Sequence, residues 1–154
     1  MAYLRASSGA RSDDGGTVTD QSGAFRTDVK PHVLVVDDDS AVARQLALAL
    51  ELEGVMATTV TDGEGALALL MRAETEHPVD LVLVELMLPR RSGLELAREL
   101  RARYPELRIV LTGAYHLSER QLTRAGCNAI AFVPKPCEPA VVAAFVKRKV
   151  VRHT

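Results

Sequence analysis

Carboxylates, a hydroxyl and a lysine each sit directly after an apolar run in this sequence. Asp37 and Asp38 follow Val33-Leu34-Val35-Val36, and Glu85 closes Leu81-Val82-Leu83-Val84. Thr112 follows Ile109-Val110-Leu111, and Lys135-Pro136 follows a run ending at Val133-Pro134. Those residue types are the ones phosphoryl transfer uses. The reaction needs a nucleophile in line with phosphorus, and cations that neutralise the phosphoryl oxygens, supplied by oxygen-bound Mg²⁺ and a point-charge lysine. Taken singly, each residue has a plainer reading: Asp37 to Asp39 suit a helix N-terminus, and Asp39 is read as a cap. Thr112 alone is an ordinary strand-end hydroxyl. A lysine buried near three carboxylates is harder to set aside, because each charge needs the others.

The elements that must position these groups alternate along the chain. Val33–Val36 reads as a strand, followed by a helix from about Ser40 with Val42, Leu46, Ala49 and Leu50 on its apolar face and Gly54 as its stop. Val55 to Val60 reads as a second strand, and Asp62 as the N-cap of a helix with Ala66, Leu69, Leu70 and Ala73 inward. Leu81 to Val84 is the third strand, and a loop through Pro89 and Gly93 leads to a helix carrying Leu94, Ala97 and Leu100. Arg108 to Leu111 is the fourth strand, and Ser118-Glu119-Arg120-Gln121 fits a capping box. Ile130 to Val133 is the fifth, followed by a helix opened by Pro139 and carrying Val142, Phe145 and Val146. Continuous aliphatic strands separated by amphipathic helices predict a parallel sheet covered on both faces. In such sheets the functional crevice lies beyond the carboxyl ends of the strands, where strand order reverses. All the polar residues named above fall at those ends.

In combination, these segments resemble the receiver domain of bacterial two-component response regulators across residues 32 to about 150. Val35-Val36-Asp37-Asp38-Asp39-Ser40 is similar to the family's acidic motif, and Asp80 to Pro89 with Gly93 to its phosphoacceptor segment. Ile109-Val110-Leu111-Thr112-Gly113 and Phe132-Val133-Pro134-Lys135-Pro136 are similar to its last two motifs. The resemblance implies an α/β, flavodoxin-like, doubly wound five-stranded parallel sheet in the order 2-1-3-4-5, and a cis Lys135-Pro136 bond. It also implies roles. Asp38 assisted by Asp37, with the Met87 backbone carbonyl, would face Mg²⁺; Lys135 would be the phosphoryl cation; Thr112 and Phe132 would be the switch pair.

Glu85 departs from the family, which has a reactive aspartate there. One methylene carries the carboxylate about 1.5 Å further, and misplacement of that order costs ~10²-fold in a displacement. The same extension aims the carboxylate to where a phosphoryl group would sit, as a partial mimic and a permanent partner for Lys135 and Thr112. The expectation is an atypical stand-alone receiver acting by protein contact, independent of phosphorylation. Weak or absent Mg²⁺ binding is expected, since Lys135 already neutralises the longer carboxylate. The alternative is a phosphorylatable single-domain response regulator in a phosphorelay. If Glu85 reaches both Lys135 and Thr112, the hydroxyl is expected to turn inward and Phe132 to follow.

Composition limits the other classes. The formal net charge of −1, from 19 Lys+Arg against 20 Asp+Glu, offers no global field for nucleic acid or an anionic membrane. No apolar run approaches the ~20 residues of a membrane span, and the start of the sequence lacks a signal-like apolar stretch, so a cytoplasmic protein is expected. Asp37-x-Asp39 superficially suits a haloacid-dehalogenase-like phosphatase, but helix-forming Ser40-Ala41-Val42 follows where Gly-Thr would be needed. A nucleotide-binding domain would want a glycine-rich first turn, which is missing. No enzymatic role is assigned.

Residues 1–30 are rich in Gly, Ser and Thr with balanced charge, and are read as a disordered extension; 31–154 are read as the receiver-like domain. With the sequence ending at Thr154, output is expected through a protein partner on the surface of the fourth helix, fifth strand and fifth helix, around Phe132, Val141 and Ala144. A histidine kinase is the further candidate partner, with no direct nucleic-acid or membrane contact. Cys127 and Cys137 fall at opposite ends of the last strand and are read as reduced thiols. Arg90-Arg91 is read as a solvated loop, with an ion pair tuning site access as the alternative. Lys147, Arg148, Lys149 and Arg152 suit a helix C-terminus. His32, His77, His116 and His153 are dispersed, without ligand spacing.

Overall fold

The computed structural model describes residues 2–3, 29–73 and 76–151. The strands are β1 (Ala2–Tyr3), β2 (His32–Val36), β3 (Met56–Val60), β4 (Leu81–Glu85), β5 (Arg108–Gly113) and β6 (Ala131–Pro134). The helices are α1 (Ser40–Leu52), α2 (Gly63–Ala73), α3 (Gly93–Arg103), α4 (Glu119–Arg124) and α5 (Pro139–Val150). All strands are parallel and lie in the order β1-β6-β5-β4-β2-β3. Setting β1 aside, this is the doubly wound five-stranded order 2-1-3-4-5 expected from the sequence. Of the expected extension, Ala2 and Tyr3 pair with β6; residues 4–28 lie outside the described residues.

Side-chain alternation along the buried strands builds two cores. Leu34, Val36, Val82, Val84, Ile109, Leu111 and Phe132 pack with α2, α3 and α4 on one face. Val33, Val35, Leu81, Leu83, Val110, Ala131 and Val133 pack with α1 and α5 on the other. Burying both faces is what aliphatic runs without polar alternation require.

Local chemistry sets the boundaries. Asp39 caps α1 by accepting from the Ala41 and Val42 N–H groups, and Asp62 accepts from the Gly65 N–H at the start of α2. Ser118 and Gln121 form the expected capping box, and Pro139 opens α5. Gly54 and Gly126 follow helix ends with φ of 80° and 70°, the left-handed conformation that glycine adopts freely. One helical face differs from expectation: α1 buries Ala43, Leu46 and Leu50, while Val42 is exposed. The small Ala43 faces the sheet, and Val42 turns toward a groove described below.

His32 is a buried clamp that the dispersed histidine pattern did not announce. Its Nε2 lies 2.8 Å from Thr58 Oγ1, its Nδ1 2.9 Å from the His77 carbonyl oxygen, and its backbone N–H donates to Asp80 at 2.8 Å. These bonds tie the entrance of β2 to β3 and to the segment before β4.

Candidate functional site at the carboxyl ends of the strands

The ends of β2, β4 and β6 bring Asp37, Glu85 and Lys135 together. Lys135 Nζ lies 2.6 Å from Asp37 Oδ2 and 2.9 Å from Glu85 Oε2. Both carboxylates are buried, Asp37 at 4% and Glu85 at 6% exposure, so Lys135 is what makes their charges tolerable. The bond to Asp37 is directed. Glu85 Oε2 lies outside strict hydrogen-bond geometry but pairs with the same ammonium at 2.9 Å. Burial alone would lower the Lys135 pKa; the Asp37 and Glu85 contacts and charges more than offset it, and the pKa rises above the ordinary lysine value. The ammonium is therefore held charged.

Backbone groups complete the carboxylate positions. Asp37 Oδ1 accepts from the Asp39 N–H at 2.9 Å, and Glu85 Oε1 lies 3.4 Å from the Met87 N–H. Gly93 fixes the turn after β4, its N–H donating to the Leu86 carbonyl at 2.8 Å. A Cβ on Gly93 would run into the Glu85 carbonyl, so only glycine allows α3 to start so close to the site. The peptide bond between Lys135 and Pro136 is cis, as expected.

Of the switch pair, Thr112 does not make the expected contact with Glu85, and Phe132 lies inward. Thr112 is directly opposite Glu85 in the β4–β5 register, yet its Oγ1 donates to the Val133 carbonyl at 2.8 Å. A buried hydroxyl takes the acceptor its geometry offers, and the neighbouring strand supplies one. Phe132 is fully buried in the α2–α3–α4 core, edge-on to His116 with ring centroids 6.2 Å apart. It therefore contributes no exposed surface, and of the three residues expected to mark a docking face only Val141 is exposed. Alternation explains this, since Phe132 points to the sheet face opposite α5.

Asp38 is exposed, and the carboxylate that partners the lysine is Asp37. Asp37, Asp38 and the Met87 carbonyl are hard oxygen donors of the kind Mg²⁺ takes. Asp37 is already engaged by Lys135, so an ion taking Asp37 as a ligand would compete with that pairing.

Three features were not resolved by pattern alone. Arg90, with φ of 70°, pairs with Asp62 at 2.8 Å, and Arg91 pairs with Glu99 at 2.9 Å, so the loop after β4 is tied to α2 and α3 by ions rather than simply solvated. Lys147 lies 3.5 Å from Glu53, and Arg148 and Lys149 lie over the Phe145 ring, so much of the basic patch is spent within the domain. A groove of about 400 Å³ beside Asp37 and Lys135 is lined by Val42, Leu46, Cys137 and Val142. Cys127 is buried and Cys137 half-buried, both free; burial, with some help from the Glu138 charge, raises the Cys137 pKa, which favours the protonated thiol.

The chain matches the response regulator receiver domain over residues 33–147, and it belongs to that family. It is 36% identical over 112 residues to the probable transcriptional regulatory protein TcrX of Mycobacterium tuberculosis, covering 72% of this chain and 46% of TcrX. It is 38% identical over 128 residues to the transcriptional regulatory protein AruR of Pseudomonas aeruginosa, covering 80% of this chain and 51% of AruR. The chain thus spans about half the length of these curated relatives. Among solved structures, a CheY-like receiver domain from Methanospirillum hungatei superposes with a TM-score of 0.68 at 24% identity, covering 79% of this chain and 94% of that one. The BeF3-activated receiver domain of DrrB, from Thermotoga maritima, superposes at 0.64 with 28% identity, covering 80% and 99%. This is a receiver domain of two-component signalling. No helix among the described residues is long and apolar enough to cross a membrane.

Proposed function

We propose that this receiver works by protein contact without being phosphorylated, with Glu85 standing at the phosphoacceptor position as a built-in, partial substitute for a phosphoaspartate. The observation that carries the reading is the 2.9 Å approach of Glu85 Oε2 to Lys135 Nζ. The cation that would receive a phosphoryl oxygen already has an anion, and Asp37 holds its other side. The mimicry is one-sided, since Thr112 donates to Val133 and not to Glu85. A single carboxylate charge also supplies less than a phosphoryl group toward biasing a two-state equilibrium.

The same geometry argues for weak Mg²⁺ affinity, because binding there would compete with Lys135 for Asp37. Output then passes to a protein partner over the α4–β6–α5 face, in the cytoplasm, with no direct nucleic-acid or membrane contact. The second reading, phosphorylation by a histidine kinase, is favoured by the exposure of Asp38, which leaves one carboxylate of the acidic pair available to an incoming ion.

Incubation with acetyl phosphate and Mg²⁺ followed by intact-mass measurement separates the two. The expected result is no added phosphoryl group on this protein and a Mg²⁺-dependent addition on Glu85→Asp, which restores the shorter nucleophile. A stable addition on the unaltered protein that disappears in Glu85→Ala overturns the proposal.

A further inference from the structure

The groove of about 400 Å³ beside the charge triad opens between α1 and α5, on the sheet face that those helices cover. Val42 and Leu46 from α1, Val142 from α5, and Leu83 and Val133 from the sheet give it apolar walls and an apolar floor. Its volume falls in the range of small-molecule sites, ~300–1,000 Å³, which are concave, mainly apolar and furnished with a few placed polar groups. Val42 keeps 37% of its surface exposed there, so part of the wall holds water that an apolar occupant would release.

The polar groups of the groove select the kind of occupant. Asp37, Thr112 and Lys135 line it where it meets the triad. Asp37 has both oxygens engaged, Oδ1 by the Asp39 N–H and Oδ2 by Lys135, and Thr112 donates its hydroxyl to the Val133 carbonyl. An ammonium carries three donors, and Asp37 and Glu85 take two of those on Lys135. With 27% of its side chain exposed, Lys135 keeps a third donor for an acceptor atom brought by a ligand. Gln45, exposed and uncharged, favours neither sign of charge. A carboxylate on the ligand would bring a third negative charge against one ammonium, next to Asp37 and Glu85, and would be repelled. An amine would bring a second cation to a donor that needs an acceptor. The oxygen that fits is uncharged: a carbonyl, ether or hydroxyl.

We propose that the groove between α1 and α5 binds a small, uncharged and mainly apolar molecule through one acceptor oxygen on Lys135. Because the same ammonium holds Asp37 and Glu85, the occupant touches the triad directly, and its binding requires no phosphoryl chemistry at Glu85.

The test titrates the full chain with naphthyl methyl ketone, naphthoate and naphthylmethylamine, which share a ring system and differ in charge and in the acceptor they offer. Binding is read by methyl NMR on isotope-labelled Val and Leu, and by the rate at which a maleimide modifies the folded protein. Cys127 is fully buried, so that rate reports Cys137, which is half-buried and lines the groove. The expected result with the ketone is saturable shifts at Val42, Leu46 and Val142 and slower modification. Naphthoate and the amine are expected to bind more weakly by on the order of tenfold, the effect of losing a hydrogen bond to a charged donor. Val42→Trp fills the groove from an exposed position and is expected to abolish the ketone's effects, with circular dichroism showing the fold retained. No saturable shift up to the ketone's solubility limit overturns the proposal. Ketone binding that Val42→Trp leaves unchanged overturns it, because the ring then sits elsewhere. Naphthoate or the amine binding as tightly as the ketone also overturns it, because Lys135 is then not the group that selects the occupant.

Discussion

The two halves of the crevice are organised by different forces. Asp37, Glu85 and Lys135 form a charge triad in which each member is buried or half-buried and compensated by another. Thr112 and Phe132, on the neighbouring strands, are held by a backbone carbonyl and by core packing, with no bond from Thr112 to the triad. A phosphoryl group has three oxygens with which to engage both halves at once. The carboxylate of Glu85 has two, with Oε1 toward the Met87 N–H and Oε2 toward Lys135. The charge half is thus occupied in advance while the hydroxyl half keeps a local partner, and each half is open to separate disruption.

The largest expected effect comes from removing the cation. Lys135→Met leaves Asp37 and Glu85 buried without a counter-charge, and breaking a buried ion pair in this way costs about 3 kcal/mol or more. Urea denaturation at neutral pH measures the loss. The pH dependence gives an independent check. Because the folded-state pKa of Lys135 is raised, its stabilisation is complete below the ordinary lysine value and is lost as pH climbs through the higher folded value. The gap between parent and Lys135→Met should stay constant from neutral pH to about 10 and narrow above it.

Next in size is Gly93→Ala, which tests whether the backbone beneath the triad is rigid. The new Cβ meets the Glu85 carbonyl and the Leu86 Cα, backbone atoms that cannot move aside as a flexible side-chain tip would. A loss of about 2–3 kcal/mol is expected from forced overpacking. Thermal unfolding followed by circular dichroism reads it. An effect within experimental error would show that the turn between β4 and α3 yields and that Glu85 is held by its ion pair alone.

The sequence carried most of the scaffold because its signals were local. Aliphatic runs announced four buried strands beside the partly exposed edge strand β3, Asp39 and Ser118 with Gln121 marked helix starts through bonds within a turn, and Pro139 marked one by its fixed φ. The triad was legible for a related reason: polar residues after consecutive parallel strands must gather at one end of the sheet. What escaped depended on orientation. Which of Val42 and Ala43 faced the sheet turned on how closely α1 packs, and two adjacent apolar residues do not encode that. Whether the Thr112 hydroxyl met Glu85 or Val133 turned on a χ1 choice between two acceptors. Arg90 and Arg91 found Asp62 and Glu99 across the fold, partners that no spacing along the chain indicates. The pairing of Ala2–Tyr3 with β6 was also invisible, since a two-residue strand has no periodicity to detect.

The smallest effect is expected at Thr112 and sharpens the comparison most directly. Thr112→Val keeps shape and volume while removing the one hydrogen bond given by the hydroxyl, to the Val133 carbonyl. The net cost of losing a neutral bond of this kind is about 1 kcal/mol. If the two halves are independent, Lys135 and Glu85 are untouched, and the double variant Thr112→Val with Glu85→Gln loses the sum of the two single losses within ~0.5 kcal/mol. A larger departure from additivity would mean that the Thr112 hydroxyl visits Glu85 in solution. The separation between charge and hydroxyl halves would then be one of two states of this site, with the carboxylate able to draw the hydroxyl across.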